Sequence, residues 1–306
     1  MEISAIVCTR NRSKAIEGSL ASIVAALEQV QPVEAELLVV NNGSTDDTAA
    51  IVRAFAARSS IPVRLVDEPA KGLSRARNKG IAASSGRLIF FTDDDCRMEP
   101  DYFVAALARD RADGDELIFR SGMVLLGDPT DLRVSYRDIK ELGRWNARSH
   151  PKAMGMLDTV IIGANLMMRR ELADRIGPFD TAFGAGARFP GGEEFDYLYR
   201  VYAAGLTIEY APDMVIHHFH GRKLKEEGRK LIQGYTIGSG ALYAKHSLRD
   251  ARWLRPLYWH VRDSVRELVG GTRVSSEYDI SHFDVVKGAI DYYFWAVRST
   301  VPGARS

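Results

Sequence analysis

Leu88-Ile89-Phe90-Phe91-Thr92-Asp93-Asp94-Asp95-Cys96 runs an apolar strand straight into three consecutive carboxylates. Strand interiors disfavour aspartate, so the acids are expected at the strand's exit, the edge where open α/β sheets place their ligands. Asp93 and Asp95 are two positions apart and turn the same way if the backbone stays extended. Two carboxylates aimed at one point suit a hard divalent cation such as Mg²⁺ or Mn²⁺, which in turn neutralises a diphosphate. Three acids in a polar turn capping the next helix, with no cation, are the competing reading.

Working outward, the residues before this strand alternate short β-rich runs with helical stretches, the rhythm of a parallel sheet covered by helices. Ile3 to Cys8 reads as a first strand, and a helix is expected from about Ser13 to Gln29. Glu36 to Val40 is a second strand, followed by the loop residues Asn41-Asn42-Gly43-Ser44. A helix over about Asp46 to Arg58 leads to a third strand at Val63 to Val66. Gly72 to Ser74 is a turn before a helix over Arg75 to Ala83, with Ser74 as N-cap and Gly86 as C-terminal stop. Four strands therefore end in polar loops on one edge of the sheet, the default ligand site.

The middle of the chain is more mixed. Thr159 to Arg169 reads as another strand, and the segment around Trp145 as loop or helix. Gly191-Gly192-Glu193-Glu194 opens a helix to about Ala204, and Thr207 to Tyr210 and Met214 to His217 read as two short strands split by a turn at Ala211-Pro212-Asp213. From residue 222 the character changes: residues 222–255 carry nine Lys or Arg against three acids, interleaved with apolar side chains. A helical tail with its basic face in solvent is the plainer reading; contact with a membrane surface or an anionic acceptor, helped by Trp253 and Trp259, is the sharper one.

Bulk properties bound the function. With 306 residues, the chain is long enough for one large domain or two. A formal net charge of +1 offers no electrostatic footprint for nucleic acid. Strand-like sequence begins at once, leaving no room for a signal peptide, and no apolar run reaches the ~18–20 residues of a transmembrane helix. Cys8 and Cys96 are the only cysteines, which argues against a disulfide framework and favours a cytoplasmic setting; both read as small packing residues.

Taken in order, the motifs resemble those of the family 2 glycosyltransferases, inverting enzymes of the GT-A fold. The resemblance rests on Val7 to Arg12 after the first strand, Leu38 to Asp46 after the second, Gly72 through Gly80 with Ala76-Arg77-Asn78, and Asp93-Asp94-Asp95 in place of the family's Asp-any-Asp motif. It continues through Gly163-Ala164-Asn165, Arg169-Arg170, Gly177-Pro178-Phe179-Asp180, Glu193-Glu194, Pro212-Asp213 and His218. It implies an α/β fold with a GT-A type Rossmann-like mixed sheet flanked by helices. Residues 1–221 would be the catalytic domain, with 1–120 the nucleotide-sugar half and 121–221 the acceptor half, and 222–306 a C-terminal helical extension.

The implied activity is metal-dependent, inverting transfer of a sugar from a nucleotide diphosphate sugar, UDP- or dTDP-linked, to an acceptor hydroxyl by single displacement. Mn²⁺ or Mg²⁺ would be held by Asp93, Asp95 and His218, with a structural histidine as the alternative for His218. Thr9, Arg10, Arg12, Asn41, Gly72 and Arg77 would contact the nucleotide, as would Asp93 and Asp94, although Asp94 is expected to turn the other way. Asn41 stands where the family commonly has a base-reading Asp. Glu194 would be the general base with Glu193 its rival, and Asn165 and Asp180 would lie on the acceptor side. The acceptor is undefined by the sequence, whether glycan, lipid-linked, peptide or small molecule. A homodimer and peripheral contact with the inner membrane surface are kept open. A non-catalytic nucleotide- or sugar-binding protein on the same scaffold is the alternative from another class. A nucleotidyltransferase is disfavoured because Thr9-Arg10-Asn11-Arg12-Ser13 lacks a lysine- and glycine-rich phosphate loop.

Overall fold

The computed structural model describes residues 1–153, 157 and 159–300, so residues 301–306 of the expected extension lie outside it, as do residues 154–156 and 158. It divides into two compact units: Met1–Asp180 with Asp196–Gly221, and Thr181–Phe195 with Arg222–Ser306.

The first unit is built on a mixed sheet of nine strands among the described residues, β1 (Ile3–Thr9), β2 (Ala35–Asn41), β3 (Val63–Asp67), β4 (Leu88–Asp93), β5 (Cys96–Met98), β6 (Ile118–Leu126), β7 (Gly143–Trp145), β8 (Asn165–Arg169) and β9 (Thr207–His218). The order is β3-β2-β1-β4-β8-β6-β9-β5, with β7 also on β9. The first four strands are parallel, and β8 runs antiparallel between β4 and β6. Helices α1 (Ile16–Glu28), α2 (Thr48–Ala56), α3 (Leu73–Ala83) and α4 (Tyr102–Ala112) connect or follow the parallel strands, and α5 (Arg170–Ile176) follows β8.

Side chains alternate across the strands, which is why both faces are apolar. Ile3, Ala5, Val7 and Phe90 join the core cluster that includes Ile16, Leu20, Tyr102 and Phe103. Phe90 meets Tyr102 and Phe103 edge-on, at centroid separations of 6.1 and 5.0 Å. On the other face Ile6 packs against α3 at Gly80, and Phe91 meets Phe179 edge-on. Burying one such side chain contributes roughly 1.5–3 kcal/mol.

Several elements depart from the sequence-based expectation. The strand expected over Thr159 to Arg169 begins only at Asn165, after a turn closed by the Asn165 amide on the Ile162 carbonyl. The segment around Trp145 is the edge strand β7. The two short strands around Pro212 are one strand: β6 pairs with both halves, Gly122 opposite Ala211 and Met123 opposite Val215, so Pro212 to Met214 bulge out. Helix α3 starts at Leu73 with Gly72 as its cap, leaving Ser74 buried in the first turn.

The second unit holds α7 (Lys225–Ser247), α8 (Leu254–Glu267) and α9 (His282–Thr300), together with the first residues of α6 (Glu193–Ala203), whose remainder belongs to the first unit. Phe183, Phe189, Leu242, Leu257, Ala289 and Tyr292 form its core.

Candidate active site

The loop after β1 is pinned to the loop after β2 by side chains of both. Asn11, at φ +56°, accepts from the Thr45 amide at 2.8 Å and donates its own backbone N–H to Ser44 Oγ at 3.0 Å. The backbone N–H groups of Arg12 and Ser13 donate to Thr48 Oγ1 and Asp46 Oδ2. These bonds set the direction of Arg12, whose guanidinium meets Asp94 Oδ1 at 3.1 Å and Asp95 Oδ2 at 3.2 Å.

The three acids lie where β4 gives way to the turn before β5, at the exit edge of the parallel strands. Strand β9 returns alongside β5, pairing Cys96 with His218, and His218 Nε2 comes within 3.1 Å of Asp95 Oδ1. One ligand atom each from Asp93, Asp95, Cys96 and His218 lies within 4.8 Å of the others, an arrangement able to hold a cation. Two carboxylates so close repel unless a positive charge sits between them, and their oxygens suit a hard divalent cation, with the imidazole a donor that Mn²⁺ accepts more readily than Mg²⁺.

Local electrostatics follow from burial. Burial pushes the Asp94 carboxyl up to about 6, against the pull of the Arg12 guanidinium and the Thr9 hydroxyl. Burial alone would lower the His218 imidazole, but the Asp95 carboxylate beside it, with Asp93 beyond, raises it above the ordinary histidine value. The Cys96 thiol is fully buried and is pushed far up, chiefly by that burial.

The expected site residues fall into distinct settings. Asp93, Asp95 and His218 converge, and Cys96, read from the sequence as packing, joins them. Thr9 is buried beside Asp94, and Arg10 is exposed at the strand's end. Asn41 is half-buried; its amide donates to Asp67 Oδ1 at 2.9 Å and its Oδ1 accepts from the Ser44 N–H. Gly72, at φ +141°, donates its N–H to Asn42 Oδ1, and Asn42 in turn donates to the carbonyls of Glu68 and Ala70.

Two of the expected site residues are enclosed by the fold. Arg77, expected to contact the nucleotide, is 2% exposed: its guanidinium donates to the Gly163 carbonyl at 3.0 Å and lies over the Phe91 and Phe179 rings, so it braces the sheet. Asn165, expected on the acceptor side, is fully buried, accepting from the Tyr102 hydroxyl at 2.6 Å and donating to the Met123 and Met214 carbonyls, so it ties β8 to the β6–β9 bulge. Gly122 makes room for that tie, since a Cβ there would clash with the Met214 carbonyl oxygen.

Glu193 and Glu194 open α6. Glu193 is buried with its carboxylate against Gly184, and Glu194 is half-buried. Asp180 is half-buried, next to Phe179, whose ring stacks on Tyr197.

The sequence does not single out Asp67, the partner of Asn41, because a lone acid at a strand end carries no motif. Only the register of β2 against β3, which sets Asn41 opposite Asp67, reveals the pair. Nor does the sequence single out the Arg12 bridge, which requires the β1 and β4 exits to be neighbours.

A mixed sheet with this parallel half, flanked by helices, is the fold of the GT-A glycosyltransferases. The family model for "Glycosyl transferase family 2" matches residues 4–177, and the chain belongs to that family. Among relatives, glycosyltransferase AglE of Haloferax volcanii is 24% identical over 241 residues, 78% of this chain and 73% of that protein. The succinoglycan biosynthesis protein ExoM of Rhizobium meliloti is 24% identical over 253 residues, 76% and 78% of the two chains. Of solved structures, S. aureus TarS 1-349 matches with a TM-score of 0.56 at 17% identity, over 82% of this chain and 73% of that one. Mannosyltransferase PcManGT from Pyrobaculum calidifontis, in complex with GDP-Man and Mn²⁺, matches with a TM-score of 0.61 at 18% identity, over 96% and 87%.

Proposed function

We propose that this glycosyltransferase moves a hexosyl group from a UDP- or dTDP-linked sugar to an acceptor hydroxyl with inversion, and that the transfer depends on a divalent cation held by Asp93, Asp95 and His218. The observation that carries this reading is the convergence of those side chains at the exit edge of the parallel strands. The complex of PcManGT with GDP-Man and Mn²⁺ supports a nucleotide-sugar donor and a cation. Mn²⁺ or Mg²⁺ bound there would supply the positive charge that a departing diphosphate needs.

The chain's own residues do the rest. Arg12, already bridging Asp94 and Asp95, would add its positive charge to a diphosphate bound at the same edge. Asn41 and Asp67, bonded to each other, would offer an amide and a carboxylate to the edge of a base bound there. Glu194, with Glu193 as rival, takes the acceptor hydroxyl proton as the oxygen attacks the anomeric carbon and the bond to the diphosphate breaks.

The test is a thermal-shift panel of UDP, dTDP, GDP, CDP and ADP, each with Mn²⁺, Mg²⁺ or EDTA. A cation-dependent gain for UDP or dTDP, absent in Asp95→Ala, supports the donor class. No gain with any diphosphate sinks the reading. Glu194→Gln should keep the gain and lose transfer; transfer surviving in Glu194→Gln but lost in Glu193→Gln moves the base to Glu193.

A further inference from the structure

Helix α8 (Leu254–Glu267) keeps only part of its apolar surface inside the second unit. Leu257 and Ser264 are buried, whereas Leu254, Tyr258, Val261, Val265, Leu268 and Val269 are 49–88% exposed. Their spacing places them in one stripe along the helix and the turn after it. Arg255, Arg262 and Arg266 each follow a stripe residue by one position and so form a row about 100° further round the axis. The two acids of the helix turn away from the stripe: Asp263 pairs with Arg262 and Arg266, and Glu267 accepts from Ser281 and the His282 N–H. Arg262 also lies 4.2 Å over the Trp259 ring.

Charge is divided along the chain in the same sense. Residues 222–306 carry 15 Lys and Arg against 9 acids, whereas residues 1–221 carry 26 against 31. Among the described residues no helix is long and apolar enough to cross a membrane. An amphipathic helix with an aromatic and aliphatic stripe, an arginine border and modest overall hydropathy is built to lie in an interface plane.

We propose that α8 docks on the surface of an anionic phospholipid bilayer, its stripe sunk among the headgroups and its arginine row against lipid phosphates. Charge complementarity selects this occupant over a second copy of the chain. An isologous contact would bring together two copies of residues 222–306, each with 15 Lys and Arg against 9 acids, whereas an anionic leaflet neutralises that excess. The stripe is already exposed, so replacing it costs the fold little.

The experiment is co-sedimentation of the full chain with vesicles of phosphatidylcholine alone or of phosphatidylcholine with a minority of phosphatidylglycerol. The expected result is binding to the anionic vesicles only, weakening as salt is added. The Tyr258→Ser/Val265→Ser double variant should lose at least about tenfold in partition, and Arg255→Glu a smaller amount, both with unchanged melting temperature. Failure of the wild type to bind anionic vesicles overturns the proposal, as does undiminished binding of the double variant. Concentration-dependent self-association that the double variant abolishes, without vesicle binding, assigns the stripe to a second copy and also overturns it.

Discussion

His218 Nε2 lies 3.1 Å from Asp95 Oδ1, joining the end of a strand late in the chain to the acidic turn that ends its parallel half. The contact has a pH signature. The folded-state pKa of His218 is raised above 6.5, so in the metal-free protein the pair's stabilisation is complete below about pH 6.5 and is lost as pH rises through the higher folded value. A cation competes with that proton, so affinity for Mn²⁺ should rise over the same window. Calorimetric Mn²⁺ titrations across this range should show the rise, and His218→Ala should flatten it and weaken binding by about tenfold or more. A pH-independent affinity in the wild type would remove His218 from the site.

Arg12 holds Asp94 and Asp95 through a fork that lysine cannot reproduce. Since Arg12 opposes the burial that lifts Asp94 to about 6, Arg12→Ala should move the Asp94 titration higher still, measurable by carboxyl carbon NMR. Arg12 itself is 40% exposed, so solvent screening keeps the loss of stability to about 1 kcal/mol even though both acids are buried. Loss of the cation-dependent diphosphate response without loss of fold would place Arg12 on the donor; a retained response would leave it a brace.

Asn165 should behave as a core residue. Asn165→Ala leaves the Met123 and Met214 carbonyls and the Tyr102 hydroxyl without their shared partner, at a cost of about 3 kcal/mol by urea unfolding. Tyr102→Phe removes one of these bonds and should cost about 1 kcal/mol. A neutral Asn165→Ala would contradict the tie. Gly122→Ala should be worse tolerated, because the added carbon has the Met214 carbonyl in its path.

Glu36 provides an acid-side signature far from the site. Burial works to raise its pKa, but the Ser85 N–H, the Ser4 and Ser85 hydroxyls and Arg64 together hold it below the usual glutamate value. Its stabilisation is therefore present above about pH 4.5 and is lost as pH falls through the lower folded value. Glu36→Gln should reduce stability at neutral pH and flatten its acid dependence; an unchanged acid limb would show that other carboxylates dominate it.

The sequence alone determined the parallel half of the sheet, because strand-helix alternation and polar strand exits are local properties of short segments. It also determined that acids emerge at a ligand edge, since Asp93 to Asp95 directly follow an apolar strand. Tertiary structure decided which of those residues meet. Whether His218 faces Asp95 depends on β9 pairing with β5 across more than a hundred residues, and no local pattern records that register. The same holds for Arg77 and Asn165: family motifs mark their positions, but the neighbours that enclose them, Phe91, Phe179, Tyr102 and the β6–β9 bulge, turn both inward. Cys96 shows the converse, a residue whose chemistry looked bland until the fold set its sulfur beside two carboxylates and an imidazole. Periodicity is written in neighbouring residues, whereas a site is written in distances between strands, and those exist only once the chain has packed.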